Sequence, residues 1–429
     1  MSKKIFALLL AACMVMSLFA GCGNTTPEVK PTEAPKTDAP AVEATEAPAV
    51  EAIDVTLKVW APSEDQNPEL GQWLITMCDQ FNDLHPEWNI TFEYGVCTES
   101  DAKKLVPQDM EAAADVFLYS STNLEVLCSS NALAEFGGKY LEAVQNNYPQ
   151  SMVDCMIYDG GVYGVPMTTN TYFMYYDKSV FTEEDVKSLD VMLEKGKVAF
   201  PLANGFYNAA FYLANGATFF GENGTDREAG IQVGGENGTA VTHALIDYVA
   251  NPNFIVAEPA DAIAMMREGN CDAYVCGTWQ AAQTQEILGE NFGVAMLPCA
   301  TIDGQSMQLR PFTSAKCIGV KSTTQYPEVA LKLALWLGGY ESQKAHYELR
   351  GYVPCELKLM SEVQDDIICR VDAQTITEIA VPRYSFAQFS YFWTPAESMG
   401  LEIRDGVVTH ENAAEKTEAF SAACNSAGI

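Results

Sequence analysis

Histidine is scarce in this sequence: His85, His243, His346 and His410 are the only four in 429 residues, and they lie far apart. A histidine cage for a metal ion, or a triad built on an imidazole base, is hard to assemble from such a set. Basic residues are also few, 25 Lys and Arg against 57 Asp and Glu, giving a net charge of −32. A surface this acidic repels nucleic acid and gives no general steering toward anionic solutes, so it favours neutral or cationic ones. No glycine spacing matches a phosphate-cradling loop; the two Gly-Glu-Asn-Gly-Thr stretches at 221–225 and 235–239 read as turns. Nothing in the sequence asks for a cofactor. The thirteen cysteines follow no disulfide framework, and setting aside Cys13 and Cys22 leaves eleven, an odd number that cannot all pair within one chain. They read as small buried residues.

The first stretch of the chain looks like processing signal rather than structure. Lys3 and Lys4 precede an almost wholly apolar run, Ile5 to Ala20, which ends in Leu18-Phe19-Ala20-Gly21-Cys22. Basic start, apolar run and small residues together predict a secretory leader. The run is short for a bilayer span of roughly 20 residues. Cys22 after Ala-Gly resembles a bacterial lipoprotein signal, with one departure in Phe19 where such motifs carry Leu. That resemblance implies that residues 1–22 comprise the leader and its anchor cysteine, with Cys22 carrying palmitate-type acyl chains at the outer membrane surface. Residues 23–52 hold Pro27, Pro31, Pro35, Pro40 and Pro48, repeat Ala-Pro-Ala-Val-Glu-Ala, and contain no aromatic residue. Such a segment cannot bury enough apolar surface to offset its ordering entropy, so a disordered tether is expected. In a polyproline-like state at ~3.1 Å per residue it would reach on the order of 90 Å.

From Ile53 onward the chain is long enough for two domains. Val55 to Ala61 alternates and reads as a strand; Pro68 to Leu84 carries a helical apolar stripe from Leu70 to Phe81, ended by His85-Pro86. A strand over Trp88–Tyr94, a helix over about Ser100–Ala113 and a strand over Asp115–Tyr119 complete an alternation that argues for a parallel α/β sheet. Thr168 to Tyr176 is one long β-prone run. A second α/β section begins with a strand at Val198–Pro201 and a helix over Tyr207–Leu213. It continues with helices over 240–250 and 259–268 and a strand over Ala273–Cys276. Helices are expected at Pro327–Gly338 and near Asn412–Cys424, and Tyr384 to Trp393 is unusually aromatic.

The order of landmarks resembles the family-one extracellular solute-binding proteins, the group that includes maltose- and maltodextrin-binding proteins. The residues that carry it are Phe81-Asn-Asp-Leu-His-Pro86, Ala114-Asp-Val-Phe-Leu118, Asn131-Ala-Leu-Ala-Glu-Phe136 and Gly161-Val-Tyr-Gly-Val-Pro166. Tyr175-Tyr-Asp-Lys178, Cys276-Gly-Thr-Trp279 and Gly351-Tyr-Val-Pro354 follow in the same order. The resemblance spans about 53–429. It implies an α/β, two-lobed periplasmic-binding-protein-like fold of type II character, its lobes joined by crossing strands and closing over a ligand by hinge motion. Lobe one would comprise 53–170 plus 305–370, and lobe two 171–304 plus 371–429. The chain would cross near Thr168–Thr171, near 301–316 and near Ala373. The implied partners are a small carbohydrate and the permease of an ABC importer, with the protein itself a monomer and not an enzyme.

A sugar presents apolar C–H faces and hydroxyl edges, so its site needs flat aromatic platforms beside hydrogen-bonding side chains. By the resemblance, Tyr119, Phe206, Trp279 and Trp393 fall at platform positions. Glu64 and Asn170 occupy positions that bond hydroxyls, and Asp65 stands where a basic residue is expected. Alternation in Phe389-Ser-Tyr391-Phe392-Trp393 would let one face meet a cleft, with Trp393 first and Tyr391 second. Trp60 and Trp73 read as core, and Tyr172, Tyr175 and Tyr176 as packing. The aromatic positions match better than the polar ones, which favours a carbohydrate without naming it. Another solute, a polyamine or a peptide, remains open, and so does a surface glycosidase, which would need two carboxylates poised across a bond.

Overall fold

The computed structural model describes residues 52–426. The leader, Cys22 and nearly all of the 23–52 segment lie outside them. Within the described residues the alternation read from Val55 produces the opening strand. Val55, Leu57, Val59 and Ala61 are buried, and the strand runs Ile53–Ala61, parallel to Trp88–Val96 and to Val116–Ser120. The first sheet runs, from edge to edge, Val381–Pro382, Phe312–Val320, Val116–Ser120, Ile53–Ala61, Trp88–Val96, with Val165–Asn170 also paired to Phe312–Val320. The helix Trp73–Leu84 packs Trp73, Leu74, Met77, Cys78 and Phe81 against this core, a stripe at helical spacing. Pro327 at the first helical position opens Pro327–Gly338 as the sequence predicts.

A second sheet has the order Phe254–Val256, Val198–Phe200, Ala273–Cys276, Phe173–Asp177, Phe292–Ala295. Its first three strands are parallel to one another, while Phe173–Asp177 runs against both of its neighbours. One core gathers buried residues from Val55 to Met167 and from Ala315 to Ile376. A separate core contains Tyr172, Phe200, Phe211, Phe312 and Phe392, and a third lies on the other face of the second sheet with Tyr175, Tyr274 and Phe292. This is a two-lobed α/β architecture.

The chain passes from one core to another at several places. Met167 belongs to the first core and Tyr172 to the second; Phe312 belongs to the second and Ala315 to the first. Met360 packs in the first core, Val371 in the third, Ala373 and Ile376 in the first again, and Phe386 in the second. The first crossing is the short link between the strands Val165–Asn170 and Phe173–Asp177, and the second lies within the strand Phe312–Val320. The third, between Val371 and Ala373, is the end of the helix Ile367–Gln374, continued by a π-helical turn over Thr375–Ile379.

Several local expectations are corrected. The run Thr168–Tyr176 is two strands, because backbone pairing switches from the first sheet to the second between Asn170 and Phe173. The helix expected to reach Ala113 covers only Ala102–Gln108, with Pro107 in its last turn, where the ring opposes continuation. Gly235-Glu-Asn-Gly-Thr239 is not a turn but the start of the helix Gly235–Ala250. The aromatic run does not alternate either. Ser390–Arg404 is a helix whose buried side chains Phe392, Ala396, Met399 and Ile403 recur at helical spacing, a stripe that extends beyond the aromatic residues.

Candidate functional site

The strand ends at the two crossings bring most of the expected platforms into one row. Asn170 closes its strand and donates from Nδ2 to Ser314 Oγ at 3.0 Å, across the antiparallel register that pairs the two residues. Beside Ser314, Arg383 donates its backbone N–H to the Thr313 carbonyl at 2.7 Å. Its guanidinium lies over Trp393, 5.0 Å from the ring centroid. Trp393 backs onto Gly205, where a β-carbon would sit 3.2 Å from the indole. The next residue, Phe206, meets Tyr172 edge to face at 4.8 Å. From Tyr172 the row passes through Thr171 to Gly277. A β-carbon there would lie 2.6 Å from the Thr171 carbonyl and 2.0 Å from the Trp279 ring, so only glycine lets them meet. Trp279 itself is 52 % exposed on the turn Thr278–Gln280. An exposed tryptophan after a strand end, in one row with half-buried Trp393 and Phe206, gives flat apolar surfaces that a sugar face can cover.

The other four expected residues stand outside this row. Tyr119 is fully buried and its hydroxyl donates to the Tyr163 carbonyl at 3.0 Å, so it is core beneath the site rather than a platform. Burial raises its pKa well above the ordinary tyrosine range. Asp65 is 2 % exposed and its carboxylate is taken up inside the protein, by His346 Nε2 at 2.9 Å and Arg350 at 3.2 Å. Glu64, its neighbour, is only partly buried, and its one side-chain partner is Ser63 Oγ at 3.3 Å, which leaves the carboxylate available. Tyr391 is half-buried on the first turn of its helix. At about 100° per residue it points nearly opposite to Trp393, and no ring contact joins it to the row.

The sequence reading missed the charged frame around Asp65. The His346 ring stacks on Tyr352 at 4.2 Å, and Lys316 and Arg350 lie over the same Tyr352 ring at 5.0 and 5.4 Å. Lys316 pairs with Glu99 at 2.9 Å. Burial works against the lysine charge, but Glu99 and Tyr352 outweigh it and raise the Lys316 pKa. Lys316 is opposite Ser120 in the sheet, so this frame stands at the carboxyl ends of the strands Ile53–Ala61 and Val116–Ser120. Ligands of open α/β sheets bind there. The only early signal for it was the position of Glu64 and Asp65 after the first strand.

Among the described residues no group of three or more His, Cys, Asp and Glu side chains is placed to hold a metal ion. Eleven cysteines are free thiols, nine of them buried, and burial pushes Cys155, Cys276 and Cys424 to about 12, which keeps them inert. No described helix is long and apolar enough to cross a membrane.

Comparison with known proteins agrees with this architecture. A solved structure with acarbose is 42 % identical and superposes with a TM-score of 0.74, covering 86 % of this chain and 98 % of that one. The maltodextrin-binding protein MalE1 from L. casei BL23, solved without ligand, has a TM-score of 0.78 at 22 % identity over 87 % of this chain and 99 % of its own. The maltodextrin-binding protein MdxE of Bacillus subtilis is 27 % identical over 277 residues, 58 % of this chain and 63 % of the relative. The galactooligosaccharide-binding protein of the same organism is 24 % identical over 61 % of this chain and 66 % of the relative. The matched stretch thus spans slightly less than two-thirds of these curated relatives. The bacterial extracellular solute-binding protein model matches residues 76–368, and the chain belongs to that family.

Proposed function

We propose that the protein captures a carbohydrate of maltodextrin type between its two lobes and delivers it to the permease of an ABC importer. The observation that carries this is the row Asn170, Trp393, Phe206 and Trp279, which lies along the crossings between the lobes. It offers apolar faces and hydrogen-bonding edges in the proportion a sugar needs. The 42 % identical chain solved with acarbose, together with relatives named for maltodextrin and galactooligosaccharide, supports the same ligand class. The lobes are taken as 53–170 plus 305–370 and 171–304 plus 371–429; separate cores support two lobes, although Leu309 and Phe312 pack in the second core and Ala373 and Ile376 in the first. The protein is a receptor and not an enzyme in this reading, and it works as a monomer held at the outer face of the membrane by lipid on Cys22. A relative in Streptococcus pneumoniae that is named a solute-binding lipoprotein supports the anchor.

Calorimetry against a panel of neutral mono- and oligosaccharides, a polyamine and a peptide tests the ligand class. Saturable binding of an α-glucan of two or more units is expected; binding confined to the polyamine or the peptide would overturn it. A reducing-sugar assay on the same mixtures should stay at background. Mass spectrometry of the native protein should find a diacylglyceryl fragment beginning at Cys22, and Cys22→Ser should release the protein or leave it unprocessed.

A further inference from the structure

The chain carries 57 acidic side chains, yet one half-buried cation at the crossings has none of them as a partner. Arg383 follows the short strand Val381–Pro382, which pairs with Phe312 and Thr313. Its backbone is fixed by the bond to Thr313, one residue from the Ser314–Asn170 pair. Its guanidinium is fixed by the rings of Trp393 at 5.0 Å and Phe389 at 5.7 Å. Among the described residues the guanidinium forms no ion pair and donates to no protein acceptor. Its nitrogens are not sealed in either, since the buried polar atoms without partners belong to other residues. Burial lowers its pKa to about 10, so it is still charged at neutral pH. A part-buried charge without a partner is costly to keep, and a planar fork of five donors is suited to two neighbouring oxygen acceptors.

We propose that Arg383 is a specificity-determining residue of the site, donating its fork of N–H groups to two adjacent hydroxyl oxygens of a sugar ring that stacks on Trp393. The proposal rests on the carbohydrate reading above. A pyranose packed on the part of the indole that the guanidinium leaves open turns its hydroxyl edge toward that guanidinium. Asn170, one strand away, stands on the lobe-one side of the same sugar edge. Adjacent equatorial hydroxyls present the spacing that the fork recognises; a ring lacking one of them leaves a donor unpaired, and that loss discriminates strongly.

The test compares maltotriose binding by calorimetry in the wild type, R383Q, R383K and W393A, with ligand-free melting recorded for each. R383Q is expected to weaken binding about ten- to a hundredfold, the range for losing a hydrogen bond to a charged group. Its ligand-free melting temperature should hold or rise, because an unpaired charge is removed. R383K should recover little of the lost affinity, since an ammonium is a point charge and not a fork. A deoxy analogue of maltotriose lacking one hydroxyl of the contacted pair should lose affinity in the wild type and little more in R383Q. Wild-type affinity in R383Q, or full rescue of both melting and binding by R383K, would overturn the proposal while the carbohydrate reading stood. Failure of the wild type to bind any neutral oligosaccharide would overturn both.

Discussion

At the scale of single residues, the proposed site is lined by aromatic side chains whose surroundings differ sharply. Trp279 is half exposed and Trp393 half-buried, whereas Trp73 is fully buried, donates to the Ser342 carbonyl at 2.7 Å and stacks on His346 at 4.5 Å. Covering a large apolar side chain contributes roughly 1.5–3 kcal/mol, so Trp279→Ala and Trp393→Ala should each weaken oligosaccharide binding by about 2 kcal/mol, or about thirtyfold. Calorimetry with melting curves checks that the folded state survives; wild-type affinity in both variants would place the sugar elsewhere. Trp73→Ala should instead cost about 3–5 kcal/mol of folding stability, read from denaturant unfolding. The sequence indicated the type of residue at these positions. It could not show that Asp65 is spoken for, because its partners His346 and Arg350 lie far along the chain. Nor could it show that Tyr119 is buried, because a strand-end tyrosine reads alike whether covered or open.

At the scale of elements, the third crossing holds the least settled buried group. Asp372 is fully buried at the end of Ile367–Gln374; one carboxyl oxygen accepts from Thr169 Oγ1 at 3.1 Å and the other has no partner. Three residues on, in the π-helical turn, Thr375 Oγ1 is buried without a partner as well. Burial raises the Asp372 pKa to about 7 from an ordinary 3.8, with Thr169 opposing in part. A carboxyl whose folded-state pKa is raised favours folding most when it is protonated. Its contribution is intact below about pH 4 and is lost as pH rises to about 7. Asp372→Asn, which removes the ionisation, should therefore gain stability relative to the wild type across that window, by on the order of a few kcal/mol at neutral pH. Melting temperatures of both proteins from pH 4 to pH 8 check this; parallel curves would show that Asp372 does not titrate there. This turn, like the helical character of Ser390–Arg404, was illegible beforehand. Local aromatic density says that residues are buried, while the period that decides helix against strand is set by side chains further along, Ala396, Met399 and Ile403.

At the scale of the whole molecule, contacts away from the aromatic row also join the lobes. Glu125, on the short helix Leu124–Ser129 of the first core, pairs with Arg227 and accepts from the Ala387 backbone N–H, while its own N–H donates to Ser385 Oγ at 3.1 Å. Arg227 also lies over Phe386, 4.1 Å from the ring centroid. A part-buried ion pair across the junction of two lobes favours the arrangement in which it forms. Glu125→Gln is expected to broaden the small-angle scattering distribution of the ligand-free protein and change its ligand affinity. An unchanged profile would mean that the junction is rigid without the pair. In the wild type, saturating oligosaccharide should shrink the radius of gyration and raise the melting temperature with concentration.

By itself the sequence determined the alternation of strands and helices, the family resemblance and the kind of side chain at the proposed site. Each of these is written in local periodicity or in short motifs whose neighbours lie within a few residues. Only the tertiary structure decided which of those side chains remain open. It alone brought Arg383 to Trp393, His346 to Asp65 and Arg227 to Glu125. The reason is physical: burial and pairing depend on residues that the crossings bring together from separate stretches of chain, and no local pattern records those distances.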